Sequence, residues 1–237
     1  MANAGRASAQ AERRFFLWTA SLIALITFAG FARTYFLRGV FHTQQLSLFL
    51  HLHGAVMTGW IVLFLVQTVL ITRRRIRLHR VLGYMGGGVA LLVVVMGCAA
   101  TVIAAKRELG LHSRLVPLQL NILGLELAQM ALFAVFVGVA IALRNRPDVH
   151  KRFMLLATLC MLPNPEIRIA LFLSTNLGLL LLWSAQVFLL VGLDALLNRR
   201  VHRTFLAGAL AANAVLYAVC YGADTTAWRH WVSGILA

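Results

Sequence analysis

The chain has 237 residues, of which 61% are hydrophobic and only 12% are charged. Soluble domains carry about 25% charged residues, so this composition excludes a soluble enzyme, a disordered chain and a disulfide scaffold. Lys and Arg number 22 against 7 Asp and Glu, which gives a net charge of +15. The basic residues lie in short runs between apolar segments, as in multi-span membrane proteins, so no nucleic-acid partner is expected.

Seven apolar segments are long enough to cross about 30 Å of hydrocarbon as α-helices. They predict an all-α, polytopic transmembrane helix bundle that forms a single domain over residues 1–237, with the lipid bilayer as its surroundings. The first segment is interpreted as a retained span because no small-residue cleavage site follows it. The predicted spans lie near 15–36, 46–71, 81–105, 117–143, 152–173, 177–197 and 204–222.

The fifth predicted span is the least regular. Pro163 and Pro165 remove two backbone donors from it, which predicts a kink or a break in the helix.

The distribution of basic residues predicts the orientation. With seven spans, the amino-terminal segment and the loops after the second, fourth and sixth spans fall on one side and carry 15 Lys and Arg. The opposite side carries six, and Arg168 lies inside a span. Basic loops favour the cytoplasm. We therefore expect a bacterial inner-membrane protein with its amino terminus in the cytoplasm and its carboxyl terminus outside.

Polar residues inside the spans are the best indicators of a site, because each is costly in hydrocarbon unless it is paired or solvated. Several of them share one depth in the outer half, where Glu126 lies about 13 Å from the start of its helix at 1.5 Å per residue. This shared depth predicts a polar pocket between the second, fourth and fifth spans. The candidate pocket or cofactor-binding residues are His51, His53, Trp60, Gln67, Asn121, Glu126, Gln129, Asn164, Glu166 and Arg168.

Glu126 is the central acid of that pocket. A pair with His53 or His51 would form a proton relay or orient the imidazole, whereas a pair with Arg168 would be structural. The third alternative is a carboxylate that extends to the outer surface. We expect Glu126→Gln and Glu126→Leu to leave the fold intact and to abolish function.

A second candidate site lies at the cytoplasmic helix starts. Three loops end in similar triplets, Leu78-His79-Arg80, Val149-His150-Lys151 and Val201-His202-Arg203. Histidines from two helices could ligate haem b, with arginines near its propionates, or they could anchor the helices at lipid phosphates. The residues of this alternative are His79, Arg80, His150, Lys151 and His202. Haem b is the only cofactor suggested, and the pattern assigns neither catalytic residues nor metal ligands.

Three functions agree with these residues. The first is a haem- or metal-associated, redox-linked membrane protein or a respiratory-complex assembly factor. The second is a proton-coupled small-solute transporter, and the third is a structural subunit without a site. The expected partner is a membrane complex or a second copy of the chain. Gly83 and Gly87 form a G-x-x-x-G that packs helices closely, either within the chain or between copies.

One run of motifs resembles a known group of proteins. It comprises His51-x-His53, Trp60, Gln67, His79-Arg80-x-x-Gly83 and His150-Lys151-Arg152-x-Met154. It resembles a group of poorly characterised bacterial multi-span proteins over roughly residues 51–160. The His-Lys-Arg-x-Met element is also similar to one in small membrane proteins that assist cytochrome c oxidase assembly. The resemblance implies a role in haem, respiratory-chain or oxidase-assembly chemistry.

Overall fold

The computed structural model describes residues 2–112, 114–173, 178–223 and 225–236, and these ranges form helices and short connections without strands. The helices are α1 (Ala2–Phe31, continued by a π-helical turn, Ala32–Phe36), α2 (Leu48–Thr72), α3 (Ile76–Gly110), α4 (Val116–Ala142), α5 (Pro147–Leu159), α6 (Pro163–Phe172), α7 (Leu179–Asn198), α8 (Arg203–Ala223) and α9 (Thr226–Leu236).

The described helices include seven segments long and apolar enough to span a membrane, so the predicted all-α multi-span class is confirmed. The first, third and fifth spans begin about five residues earlier than predicted, at Gln10, Ile76 and Pro147. Residue 177, where the sixth span was predicted to begin, lies outside the described residues, and α7 begins at Leu179. Helix α9 was not predicted.

One end of the bundle holds the basic loops 73–75, 143–146 and 199–202, and we call it the basic end. Contacts between side chains support this grouping, because His79 meets His150 there and Arg200 approaches Asp148. The connections 37–47 and 111–115 lie at the opposite end, because they adjoin the far ends of α2 and α3, the two helices that loop 73–75 joins.

The broken fifth span lies at the centre of the molecule. In its most apolar stretch 61% of the residues are buried, against 22–39% in the corresponding stretches of the other spans. Its first half, α5, packs against α4 and α8. Leu155, Leu156 and Cys160 are fully enclosed there, together with Trp183 and Phe205 from neighbouring helices. Because protein encloses most of this segment, its buried polar groups must find partners inside the protein.

The second half of the broken span, α6, packs against α1. Gly30 makes the approach close, since a Cβ at that position would collide with Pro165. Two cation–π contacts join the same two elements. In one the cation comes from α6, and in the other it comes from the turn that continues α1. The guanidinium of Arg168 lies 4.7 Å from the ring centre of Phe31, and that of Arg33 lies 4.9 Å from Phe172. The break therefore lets α6 pack against the amino-terminal helix.

The G-x-x-x-G of α3 makes few contacts within the described chain. A Cβ at Gly87 would meet nothing within 4 Å, and one at Gly83 would meet only the Gln67 amide at 3.9 Å. Close packing of these two glycines within the chain is therefore not observed, and their pairing between copies stays a prediction.

Candidate functional site

Two tryptophans hold the break in the fifth span. Leu159 would ordinarily accept a helical hydrogen bond from residue 163, but Pro163 has no N–H. The Leu159 carbonyl accepts instead from the Trp183 indole of α7 at 2.8 Å and from the Leu162 amide at 3.1 Å. A carbonyl that would be costly to leave unpaired in this fully buried segment is thereby satisfied.

Trp60 of α2 contacts the same segment from the other side. Its indole donates to the Thr158 hydroxyl at 3.3 Å, and that hydroxyl donates to the Met154 carbonyl at 2.9 Å. Trp60 was predicted to line a pocket. The structure gives it a buried position against Phe133, at a ring-centre distance of 4.9 Å, where it supports the end of α5.

Beyond the break, three of the predicted residues lie close together. The Glu126 carboxyl of α4 faces the Asn164 amide, and Arg168 lies within electrostatic range of that carboxyl. Thr101 of α3 is a further neighbour, although its buried hydroxyl lies outside ordinary hydrogen-bonding geometry. Glu126 and Asn164 are half-buried, and Arg168 is exposed. We call Glu126, Asn164 and Arg168, together with Thr101, the Glu126 cluster.

His53 lies next to this cluster on α2. Its Nδ1 is 3.2 Å from the Met96 carbonyl of α3, and Arg168 acts on its ring electrostatically. A hydrogen bond to a carbonyl requires the proton on Nδ1, so the neutral ring has Nε2 free to accept a proton. His53 therefore adds a second proton-accepting group beside the cluster.

The remaining predicted pocket residues lie elsewhere. His51 faces the turn after α1, where the Tyr35 hydroxyl donates to the His51 carbonyl at 3.1 Å. Asn121 accepts from the Arg229 guanidinium of α9 at 3.4 Å. Glu166 points to Gln186 of α7, on the other side of the broken span from Glu126. The side-chain carbonyl oxygens of Gln67 and Gln129 are buried with no hydrogen-bond partner among the described residues.

At the basic end, the structure brings together two of the three loop histidines. The rings of His79 on α3 and His150 on α5 have centres 6.3 Å apart and planes at 83°. Nδ1 of His150 is 2.8 Å from the Ala140 carbonyl at the end of α4. Arg80 is exposed, as expected for a residue at a membrane surface.

The third loop histidine, His202, has no ring contact with this pair among the described residues. It precedes α8, close to Arg152 and Asp194. Burial lowers the pKa of His202 below its usual value of 6.5, and the nearby positive charge of Arg152 lowers it further. The neutral ring is therefore the favoured form in the folded protein, which makes His202 a poor counter-charge for lipid phosphate.

A buried ion-pair network also lies at the basic end, and the sequence analysis missed it. Arg152 of α5 is fully buried and binds Asp194 of α7 through two hydrogen bonds, at 2.9 and 2.7 Å. The same guanidinium donates to the Asp148 carbonyl at 2.7 Å and to Glu12 of α1 at 3.1 Å. Lys151 completes the network with contacts to Glu12 at 2.7 Å and to Asp148 at 2.9 Å.

Two sequence signals could have indicated this network. Asp194 is an acid within a predicted span, and such a residue is expected to have a basic partner. Arg152 follows Asp148 at the i, i+4 spacing of a helical pair, and the two lie 3.7 Å apart. These signals indicate that Asp194 and Arg152 need charged partners. They do not specify which helices are neighbours, so the contact between α5 and α7 could not be derived from them.

The described residues contain no group of three or more His, Cys, Asp or Glu that could hold a metal ion. Two surface hollows of the described residues are lined by side chains outside the Glu126 cluster. One is lined by Arg199 and its neighbours at the end of α7, and the other by Lys106, His112 and His230 near α9. Comparison of the chain with protein-family models, curated proteins and solved structures gave no match.

Proposed function

We propose that the protein is a proton-coupled transporter of a small anionic solute, with the Glu126 cluster as its binding site. The observation that carries this proposal is that a carboxyl lies beside an amide and within electrostatic range of a guanidinium, next to a break in a central span. Unwound backbone inside a membrane bundle characteristically lines a cavity, and discontinuous helices form the substrate sites of many secondary transporters.

The charges of the cluster support coupling between a proton and an anion. Ionised Glu126 acts electrostatically on Arg168 and offsets part of its positive charge. When Glu126 takes up a proton, Arg168 keeps its charge and can bind an anion, with the Asn164 amide as a second donor. Proton and anion then occupy the site together and add no net charge to it, which lowers the cost of crossing hydrocarbon.

The exposure of Arg168 supports entry of the anion from the end opposite the basic end. Arg168 is exposed, whereas Glu126 and Asn164 are half-buried. An anion would therefore meet the guanidinium first. Towards the basic end, the buried Arg152 network and the apolar core around Leu155 and Leu156 close the bundle.

The experiment uses the purified full-length chain in liposomes that contain a fluorescent pH probe. Nitrate, phosphate and succinate are added separately to the outer solution, which is made more acidic than the lumen. Wild type should acidify the lumen only with a transported solute, and Glu126→Gln should slow this flux by about tenfold or more, because an amide cannot carry the proton.

The matched control is Glu108→Gln. Glu108 is a buried acid on α3 that lies outside the cluster, 2.9 Å from Arg107. This variant should transport at the wild-type rate. A wild-type protein that moves none of the three anions, or an equal rate in Glu126→Gln, would contradict the proposal.

Among the other functions expected from the sequence, haem association is favoured by one specific observation, the pairing of His79 with His150. We further propose a role in respiratory-complex assembly and a location in the bacterial inner membrane. The first would be tested by co-purification with oxidase subunits, and the second by fractionation of the cell envelope.

A further inference from the structure

The paired histidines at the basic end take no part in the proposed transport site. His79 lies 17 positions before Met96 on α3, and Met96 is the residue that His53 contacts. At 1.5 Å per residue, the pair and the Glu126 cluster are therefore about 25 Å apart along the helix. Any ligand of the pair belongs to a separate site.

We propose that His79 and His150 are the two axial ligands of a b-type haem. The ring centres are 6.3 Å apart. Two imidazoles that ligate one metal from opposite sides have centres about 6 Å apart, since each metal–nitrogen bond is about 2 Å and each nitrogen lies about 1 Å from its ring centre. The observed distance thus matches coordination of a single metal by both rings.

The hydrogen bonding of the two rings agrees with this role. The contact between Nδ1 of His150 and the Ala140 carbonyl holds that ring in one orientation and leaves its Nε2 free as a ligand. A ligating histidine characteristically donates its other ring N–H in this way. Nδ1 of His79 is buried with no hydrogen-bond partner among the described residues. The nitrogen offered to the haem is therefore Nε2 in both rings.

Haem fits the surroundings better than a bare metal ion does. A protein-bound Zn²⁺ ion usually takes three or four protein ligands, and the described residues provide no group of three. Haem brings four nitrogens of its own, so two histidines are enough. Arg80 acts electrostatically on His79, and the loop before α3 adds Arg73, Arg74 and Arg75. These positive charges oppose a free cation but suit the two carboxylates of haem.

The side chains next to His79 are also compatible with a porphyrin. Leu78 and Val81 are exposed and apolar, at 44% and 55%. They offer an apolar border on the exposed side of α3, and the arginines of loop 73–75 precede that border in the chain. This separation of apolar and basic groups matches the two edges of a haem b molecule.

The experiment titrates the purified full-length protein in detergent with haemin and records visible spectra before and after reduction with dithionite. Wild type should saturate at one haemin per chain, with a low-spin Soret band and sharp α and β bands after reduction. His79→Ala and His150→Ala should each weaken haemin binding by about tenfold or more and lose the low-spin spectrum, because one axial ligand is missing.

His202→Ala is the matched control, because His202 also opens a helix at the basic end but has no ring contact with the pair among the described residues. It should keep the wild-type spectrum, and so should Glu126→Gln, which separates this test from the transport proposal. Non-saturating uptake of haemin, or the same spectrum in wild type and both histidine variants, would overturn the assignment. The pair would then be an interfacial anchor without a cofactor.

Discussion

At the scale of single residues, the clearest determinant of the structure is the donor that Pro163 lacks. The freed Leu159 carbonyl is buried, and the Trp183 indole satisfies it from another helix. Trp183 is itself fully buried, so its N–H also needs this acceptor. The two residues therefore depend on each other, and the break is held by side chains on α2 and α7.

The first prediction concerns Trp183→Phe. Phenylalanine keeps an aromatic ring but removes the indole N–H, so the Leu159 carbonyl loses its closest donor. We expect a loss of about 0.5–1.5 kcal/mol in unfolding free energy, the net contribution of one hydrogen bond, because the carbonyl keeps the Leu162 amide as a donor. Chemical denaturation in detergent, followed by circular dichroism, measures it. Trp18→Phe, at a position 73% exposed, should change stability little, and an equal loss in both variants would contradict this account.

At the scale of helices, the Arg152 network joins three elements at the basic end. Arg152 is on α5, Asp194 is on α7 and Glu12 is on α1. A charge buried this deeply is tolerated only because every part of the guanidinium has a partner. Asn198 extends the network by donating to the Asp194 carboxylate at 3.2 Å. The packing of α1 and α7 around the central helix is thus coupled through one side chain.

The second prediction is a double-mutant cycle on Arg152 and Asp194. Arg152→Met and Asp194→Leu should each cost about 3–5 kcal/mol, because each leaves one buried charge unpaired. The double variant should be clearly more stable than the sum of the two losses implies. Lys151→Met is the control, since Lys151 is 26% exposed and its pairs should contribute about 1 kcal/mol or less. Additive losses in the cycle would mean that the two side chains are not coupled.

Helices differ in how far the sequence determines them. The seven spans could be predicted because length and hydropathy are local properties, and the break could be predicted because Pro163 and Pro165 remove donors in one segment. Helix α9 was missed since it is too short to span a membrane and its apolar residues cover only one face. The partners of Arg152 were missed because they depend on which helices are neighbours, which no local pattern specifies.

At the scale of the whole molecule, only some of the predicted site residues lie close together. His53, Glu126, Asn164 and Arg168 share a depth, and the structure brings these four together. His51, Asn121 and Glu166 share the same depth but face α1, α9 and α7. Depth follows from position along a helix and is readable from sequence. The direction around the bundle axis depends on packing, so it could not be assigned residue by residue.

The third prediction concerns orientation. The basic end carries the Arg-rich loops, so we expect it to face the cytoplasm. A periplasm-dependent reporter fused after Ala237 should be active, and a cytoplasm-dependent reporter at the same place should be inactive. A fusion in the loop between α4 and α5 should give the opposite pair of results and serves as the control. Cytoplasmic activity after Ala237 would reverse the topology or change the number of spans.

The two indoles at the break also make it optically visible. Of the five tryptophans, Trp60 and Trp183 are enclosed, at 4% and 0% exposure, while Trp18 and Trp231 are open, at 73% and 61%. Indole emission shifts with the polarity around the ring and with hydrogen bonding of its N–H. A chain with phenylalanine at positions 18, 228 and 231 would therefore emit only from the two sides of the break. Any rearrangement there, whether driven by a proton, an anion or voltage, would shift the wavelength of maximum tryptophan emission, and no added label would be needed.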